Sequence, residues 1–97
     1  MLTSKQRSKL RSLANRVEPI AQIGKGGITD NVVNGIDAAL EARELVKITV
    51  LKNSLEEARD LIGEIAEACN AEPVAAIGSK IILYRRSRKD IDHIELD

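Results

Sequence analysis

Aromatic residues are almost missing from this chain of 97, which holds one Tyr, no Phe and no Trp. A core must then be assembled from Ile, Leu, Val and Ala, and a mechanism needing several aromatic stacking platforms is excluded. Cysteine occurs once, at Cys69, so there is no internal disulfide framework, as suits a reducing compartment. Histidine also occurs once, at His93. One His and one Cys without matched partners do not make a metal site, and neither a metal nor a cofactor is expected. No apolar run approaches the roughly 20 residues that span a bilayer. The N-terminus, MLTSKQRSKL, is charged from Lys5 and lacks the apolar core of a signal peptide. A cytoplasmic protein without a membrane partner is expected.

Apolar residues make up 43% and charged residues 31%, a balance that supports a folded globular chain and not a disordered tail. The length suits one core, and no linker, repeat or low-complexity segment divides it, so residues 1–97 read as a single domain. The formal net charge is zero, yet the charges fall in blocks. Residues 1–29 carry Lys5, Arg7, Lys9, Arg11, Arg16 and Lys25 against Glu18 alone. Residues 30–72 carry four basic and ten acidic residues. Residues 73–89 carry Lys80, Arg85, Arg86, Arg88 and Lys89 with no acid, and the ending 90–97 adds Asp90, Asp92, Glu95 and Asp97. Segregation of this kind suggests one face for a polyanion and another for water or a different partner.

Periodicity gives the element order αβαβαββ. Thr3 caps a first helix to about Val17, with Leu10, Leu13, Ala14 and Val17 as its apolar stripe and Pro19 ending it. Residues 20–23 read as a strand. Thr29 caps a second helix to about Arg43, interrupted by Gly35, which costs about 1 kcal/mol relative to Ala. Such a glycine marks either a close helix contact or a weak point. LVKITVL, residues 45–51, reads as a central parallel strand. Ser54 and Glu57 form a capping box for a third helix to about Asn70, with Leu55, Ala58, Leu61, Ile62, Ile65 and Cys69 facing inward. Two strands then meet in a tight hairpin at Gly78-Ser79. The expected fold is α/β: right-handed crossovers, a mixed sheet of about four strands, and three helices packed on it.

The segment QIGKGGITDN, residues 22–31, places Gly24, Lys25, Gly26 and Gly27 between a strand and a helix N-terminus. One tight turn needs one or two glycines, so three in four residues suggest a close approach from outside. Backbone N–H groups at such a site attract anions, glycines admit phosphate, and Lys25 adds a charge at the tip. The G-x-x-G spacing matches the backbone-clamping loop of KH-type RNA binders, although a glycine turn alone is common in ordinary strand-to-helix connections. Neither a P-loop nor a dinucleotide fingerprint fits, since the required G-K-[ST] and third glycine are absent. Lys5, Lys9, Ser12 and Arg16 share one face of the first helix, with Arg7 and Arg11 on the next row. This helix has no acidic residue before Glu18, whereas a merely solvated face usually mixes signs. Arg85 and Arg86 point to opposite sheet faces while their strand stays regular, so at most one joins a single patch. Two basic elements and an anion-seeking loop favour nucleic acid, and RNA over duplex DNA because no base-reading helix stands out.

Catalysis has little support. His93 reads as solvated in an acidic tail, Cys69 as a small core residue, and Tyr84 as packing. Glu56, Glu57, Asp60, Glu64 and Glu67 read as the outer face of the third helix. No acid, base or nucleophile is matched to another, so the chain is not expected to be an enzyme.

LANRVEPIAQIGKGGIT, ELVKITVLKN and SKIILYRRSRK occur in order over nearly the whole chain. Together they resemble the CRM domain, named for chloroplast RNA splicing and ribosome maturation, and most of all its single-domain bacterial members of the YhbY type. The resemblance implies an RNA-binding domain shaped like KH folds and like the C-terminal domain of a translation initiation factor. It also implies a role on ribosomal RNA of large-subunit precursors. Carried onto this sequence, its RNA-binding residues are Gly24, Lys25, Gly26 and Gly27, with the basic first helix (Lys5, Arg7, Lys9, Arg11, Arg16) and the basic last strand (Arg85, Arg86, Arg88). The acidic ending is not part of that pattern. A second hypothesis is a protein–protein adaptor that docks its acidic third helix on a basic ribosomal protein or assembly factor. A third is a DNA-coating protein of similar build.

Overall fold

The computed structural model describes residues 1–96; Asp97, counted above with the acidic ending, lies outside the described residues. The order is α1 (Ser4–Ala14), β1 (Pro19–Ile23), α2 (Asp30–Arg43), β2 (Leu45–Val50), α3 (Ala58–Ala68), β3 (Glu72–Ile77) and β4 (Lys80–Tyr84). The strands form one mixed sheet in the order β1-β2-β4-β3. β2 runs parallel to β1, while β4 is antiparallel to both β2 and β3. The expected central strand is therefore parallel on one side only.

Alternation along β2 and β4 builds two cores. Val46, Ile48, Ile81 and Leu83 meet Ile36 and Leu40 of α2 and Leu61 and Ile65 of α3 on one face. Leu45, Ile82 and Tyr84 meet Leu10 and Ala14 of α1 on the other, together with Leu2 and Val74. The central strands are apolar throughout because both their faces are covered. Cys69 and Tyr84 are buried packing residues, as expected. Gly35 is exposed, and a Cβ there would meet nothing within 4 Å, so no helix contact requires it. Helix α2 forms across it because burying Ile36 and Leu40, each worth about 1.5–3 kcal/mol, outweighs the glycine penalty of about 1 kcal/mol.

Three boundaries differ from the periodicity. Helix α1 stops at Ala14, not near Val17. The N–H groups of Asn15, Arg16 and Val17 turn to the carbonyls three residues back, which tightens the end. Leu13, inside the helix but off the face of Leu10 and Ala14, lies 42% exposed. Pro19, expected to end that helix, instead opens β1, where an edge strand tolerates its missing N–H. Helix α3 starts at Ala58 with Glu57 as its N-cap and no side-chain cap bond. The Ser54 hydroxyl closes a local turn instead, accepting from the Glu56 N–H and donating to the Glu56 carbonyl. Leu55 is left 84% exposed, off the apolar stripe.

Helix α1 packs over Leu45, Tyr84, Val74 and Ile82, the half of its sheet face distant from the C-terminal end of β1. At the near end Gln22, Thr49 and Lys80 are aligned across β1, β2 and β4. Parity puts them on the face that α1 leaves open.

Candidate nucleic-acid interface

The glycine loop closes as a turn, with the Gly27 N–H donating to the Gly24 carbonyl at 3.0 Å. Lys25 and Gly26 form its tip, both exposed. Two of the glycines have internal reasons. A Cβ on Gly24 would lie 3.1 Å from Asn53 Oδ1 and 3.3 Å from Leu51 Cδ1. Gly27 has φ +72°, the left-handed region that side chains rarely adopt. Gly26 has neither constraint, since its nearest contact for a Cβ would be Thr29 Cγ2 at an ordinary 3.8 Å. The fold does not require glycine at the tip.

Behind the loop, Thr29 caps α2 as expected, its hydroxyl accepting from the Val32 N–H at 3.2 Å. Asp30 in the first turn already complements the helix dipole. Anion attraction here therefore rests on Lys25 and the loop amides more than on the dipole.

Helix α1 supplies the second basic element. Lys5, Lys9, Arg11 and Arg16 are exposed, and Arg7 is half-buried. At about 3.6 residues per turn, Arg7 and Arg11 project from one flank; Lys5, Lys9 and, beyond the helix end, Arg16 project from the other. The second flank faces the C-terminal segment, because Lys9 Nζ donates to the Glu95 carbonyl. The Arg7–Arg11 flank therefore faces the open half of the sheet. Lys80 stands there, its Nζ donating to Thr49 Oγ1 at 3.0 Å, with Lys47 on the same face. The charge pattern of the sequence does not single out these two lysines. The alternation in LVKITV and KIILY carries the signal, since it sets both opposite the apolar positions.

The third basic element separates from the first two. Strand β4 ends at Tyr84, and Arg85 turns to the α2/α3 side. Its guanidinium pairs with Asp37 at 2.7 Å and Glu41 at 3.2 Å and donates to the Cys69 carbonyl at 2.6 Å. The side chain is 17% exposed, so its charge is spent tying β4 to both helices. Arg86 and Arg88 are exposed, but they follow the C-terminal end of β4, across the sheet from the loop. Strand β2 has six residues, which puts the two ends about 17 Å apart at ~3.3 Å per residue.

His93, expected to be solvated, is held by a buried carboxylate. Its Nδ1 lies 2.6 Å from Oε2 of Glu44, and Glu44 is fully buried. The same carboxylate accepts the Ser87 and Ile94 N–H groups, each at 2.7 Å. Burial by itself would raise the Glu44 carboxyl. The bonds from His93, Ile94 and Ser87, with the His93 charge, outweigh it and hold the group below its ordinary 4.5. Burial, followed by the Asp37 charge, pushes the Cys69 thiol up, so it is not poised as a nucleophile. Among the described residues no group of three His, Cys, Asp or Glu could hold a metal ion. None of the described helices is long and apolar enough to cross a membrane. Asp60, Glu64 and Glu67 on α3 are exposed, as a solvated face requires.

The chain is similar to known proteins in sequence and in fold. A sequence model of the CRS1 / YhbY (CRM) domain matches residues 2–85. The chain is 43% identical over 90 residues to a Bacillus subtilis protein named "Probable RNA-binding protein YqeI", covering 93% of this chain and 94% of that one. It is 33% identical over 88 residues to a Haemophilus influenzae protein named "RNA-binding protein", covering 91% and 89% of the two chains. The solution structure of the hypothetical protein SAV1595 from Staphylococcus aureus superposes with a TM-score of 0.83 at 47% identity, covering both chains completely.

Proposed function

Because the chain belongs to the CRS1/YhbY (CRM) domain family, we propose that it is an RNA-binding module that acts, in the cytoplasm, on ribosomal RNA of large-subunit precursors. Its surface for the phosphate backbone joins the Gly24–Gly27 loop, the Arg7–Arg11 flank of α1 and the two sheet lysines, Lys47 and Lys80. The loop amides take one phosphate and Lys25 its neighbour. Arg86 and Arg88 take a distant stretch of a longer RNA. Arg85 positions the β4 end and leaves the RNA to its neighbours. With a single Tyr, itself buried, base stacking adds little. Affinity then comes from phosphates, and RNA shape supplies the selectivity. The names of its relatives point the same way, to binding and not to catalysis.

One observation carries the reading. Gly26, at the exposed tip beside Lys25, is a glycine without an internal reason, and close approach of an external backbone supplies one. Gly26→Ala should accordingly leave stability within about 0.5 kcal/mol of wild type while weakening binding of an rRNA fragment several-fold. Gly27→Ala should instead cost about 1–2 kcal/mol of stability through its positive φ. Thermal unfolding and fluorescence anisotropy on the same preparations separate the two effects. Wild-type RNA affinity in Gly26→Ala would remove the close-approach argument.

A further inference from the structure

After β4 the chain turns back over the end of the sheet and lies along α1. Three bonds to Glu44 fasten it: from the Ser87 N–H, from His93 Nδ1 and from the Ile94 N–H. Ile94 and Leu96 pack into the α1-side core, and Leu13, Arg16, Val17 and Ile94 line one groove. Glu44 itself stands at φ +68° just past α2, a position that glycine normally fills at the end of a helix. A side chain there costs about 1–2 kcal/mol, and its carboxylate offsets that cost by holding the returning segment. This segment is therefore part of the fold and not a loose tail. It carries Asp90, Asp92 and Glu95, and among the described residues none of the three forms an ion pair within 4 Å. Near the segment, Lys9 of α1 is bound to the Glu95 carbonyl, and Arg16, just past the helix, lines the groove with Ile94.

We infer that the acidic segment 90–96 is an intramolecular competitor for RNA on the Lys5–Lys9–Arg16 flank of α1. In the free protein it runs beside Lys9 and Arg16 and adds negative charge next to these exposed cations. RNA long enough to reach around α1 must contend with the negative charge of this anchored segment. The segment sets affinity and filters short or weakly charged ligands, because only a ligand making several phosphate contacts elsewhere outcompetes it. The acidic ending outside the family pattern thereby acquires a role.

The inference rests on the RNA-binding reading, and the test keeps the two apart. The triple variant Asp90→Asn, Asp92→Asn, Glu95→Gln spares the Glu44 clasp and every apolar contact. Its affinity for a fluorescent 12-nucleotide oligouridine in 0.1 M salt is compared with wild type and with Asp60→Asn, Glu64→Gln, Glu67→Gln on α3. We expect the segment variant to bind about five-fold tighter, the size of three partly screened charges, and the α3 variant to gain less than two-fold. Equal affinity of all three proteins, or an equal gain in both variants, overturns the inference and leaves RNA binding standing. Absence of binding by every protein overturns the RNA reading and the inference with it.

Discussion

Reversing three charges together, Arg7→Glu, Arg11→Glu and Lys25→Glu, is expected to weaken RNA binding about 100-fold at 0.1 M salt. The figure follows from counterion release. Each neutralised phosphate on a single strand frees about 0.7 counterion, so three lost contacts are worth roughly two powers of ten at 0.1 M relative to 1 M. The slope of log affinity against log salt should drop by about 2 for the same reason. Folding should survive, because Arg11 and Lys25 are exposed and Arg7 is half-buried. Arg11 also sits in the last turn of α1, where reversal costs about 0.3–1 kcal/mol against the dipole. Arg86→Glu with Arg88→Glu is the matched control. On an oligonucleotide too short to reach the far end of the sheet, it should change affinity less than ten-fold. Equal losses from both variants, read by anisotropy, would show that net charge and not the described surface governs binding.

Glu44→Ala is expected to cost about 3 kcal/mol of stability. The substitution strips the partner from two backbone donors, the Ser87 and Ile94 N–H groups, and from His93. A buried donor left unmade costs about 1–3 kcal/mol. Alanine does not relieve the positive φ of +68°, so nothing offsets the loss. For a domain of this size the midpoint should fall by more than about 10 °C in thermal unfolding followed by circular dichroism. The dependence on pH gives a second signature. Because the folded carboxyl lies below its ordinary 4.5, its contribution is complete above that value. It is lost as pH falls through the depressed folded value. Wild type and Glu44→Ala should therefore converge in stability under acid and separate fully near neutrality. A loss below about 1 kcal/mol at neutral pH, or a gap that widens in acid, would contradict the clasp.

What the sequence discloses and what it conceals divide along a physical line. The β-branched run 45–50, the Gly78 hairpin, the Thr29 cap and the glycine loop are local, and each appears where its residues place it. The capping box at Ser54 failed although it too is local, because a hydroxyl two residues from Glu56 has a nearer partner than N3 of a helix. The misjudged chemistry is long-range. The sequence shows Arg85 as a cation in a basic run, yet its acidic partner Asp37 lies 48 residues away. His93 reads as solvated because Glu44, 49 residues distant, is invisible from its neighbours. Strand parity places Lys47 and Lys80 opposite the apolar positions of their strands, but only the partial coverage by α1 shows that their face is open. The loop is legible as a glycine turn between a strand and a helix; which of its glycines the fold itself requires is not.

A surface that holds RNA by its phosphates is tested most directly by a salt titration. Wild-type affinity for a single-stranded rRNA fragment would be measured by fluorescence anisotropy from about 0.05 to 0.5 M salt, alongside Lys25→Glu. Log affinity should fall linearly with log salt. At about 0.7 per phosphate, the slope should reach at least about 2 to 3, and Lys25→Glu should lower it by about one contact. Weak binding that neither salt nor Lys25→Glu alters would contradict such a surface.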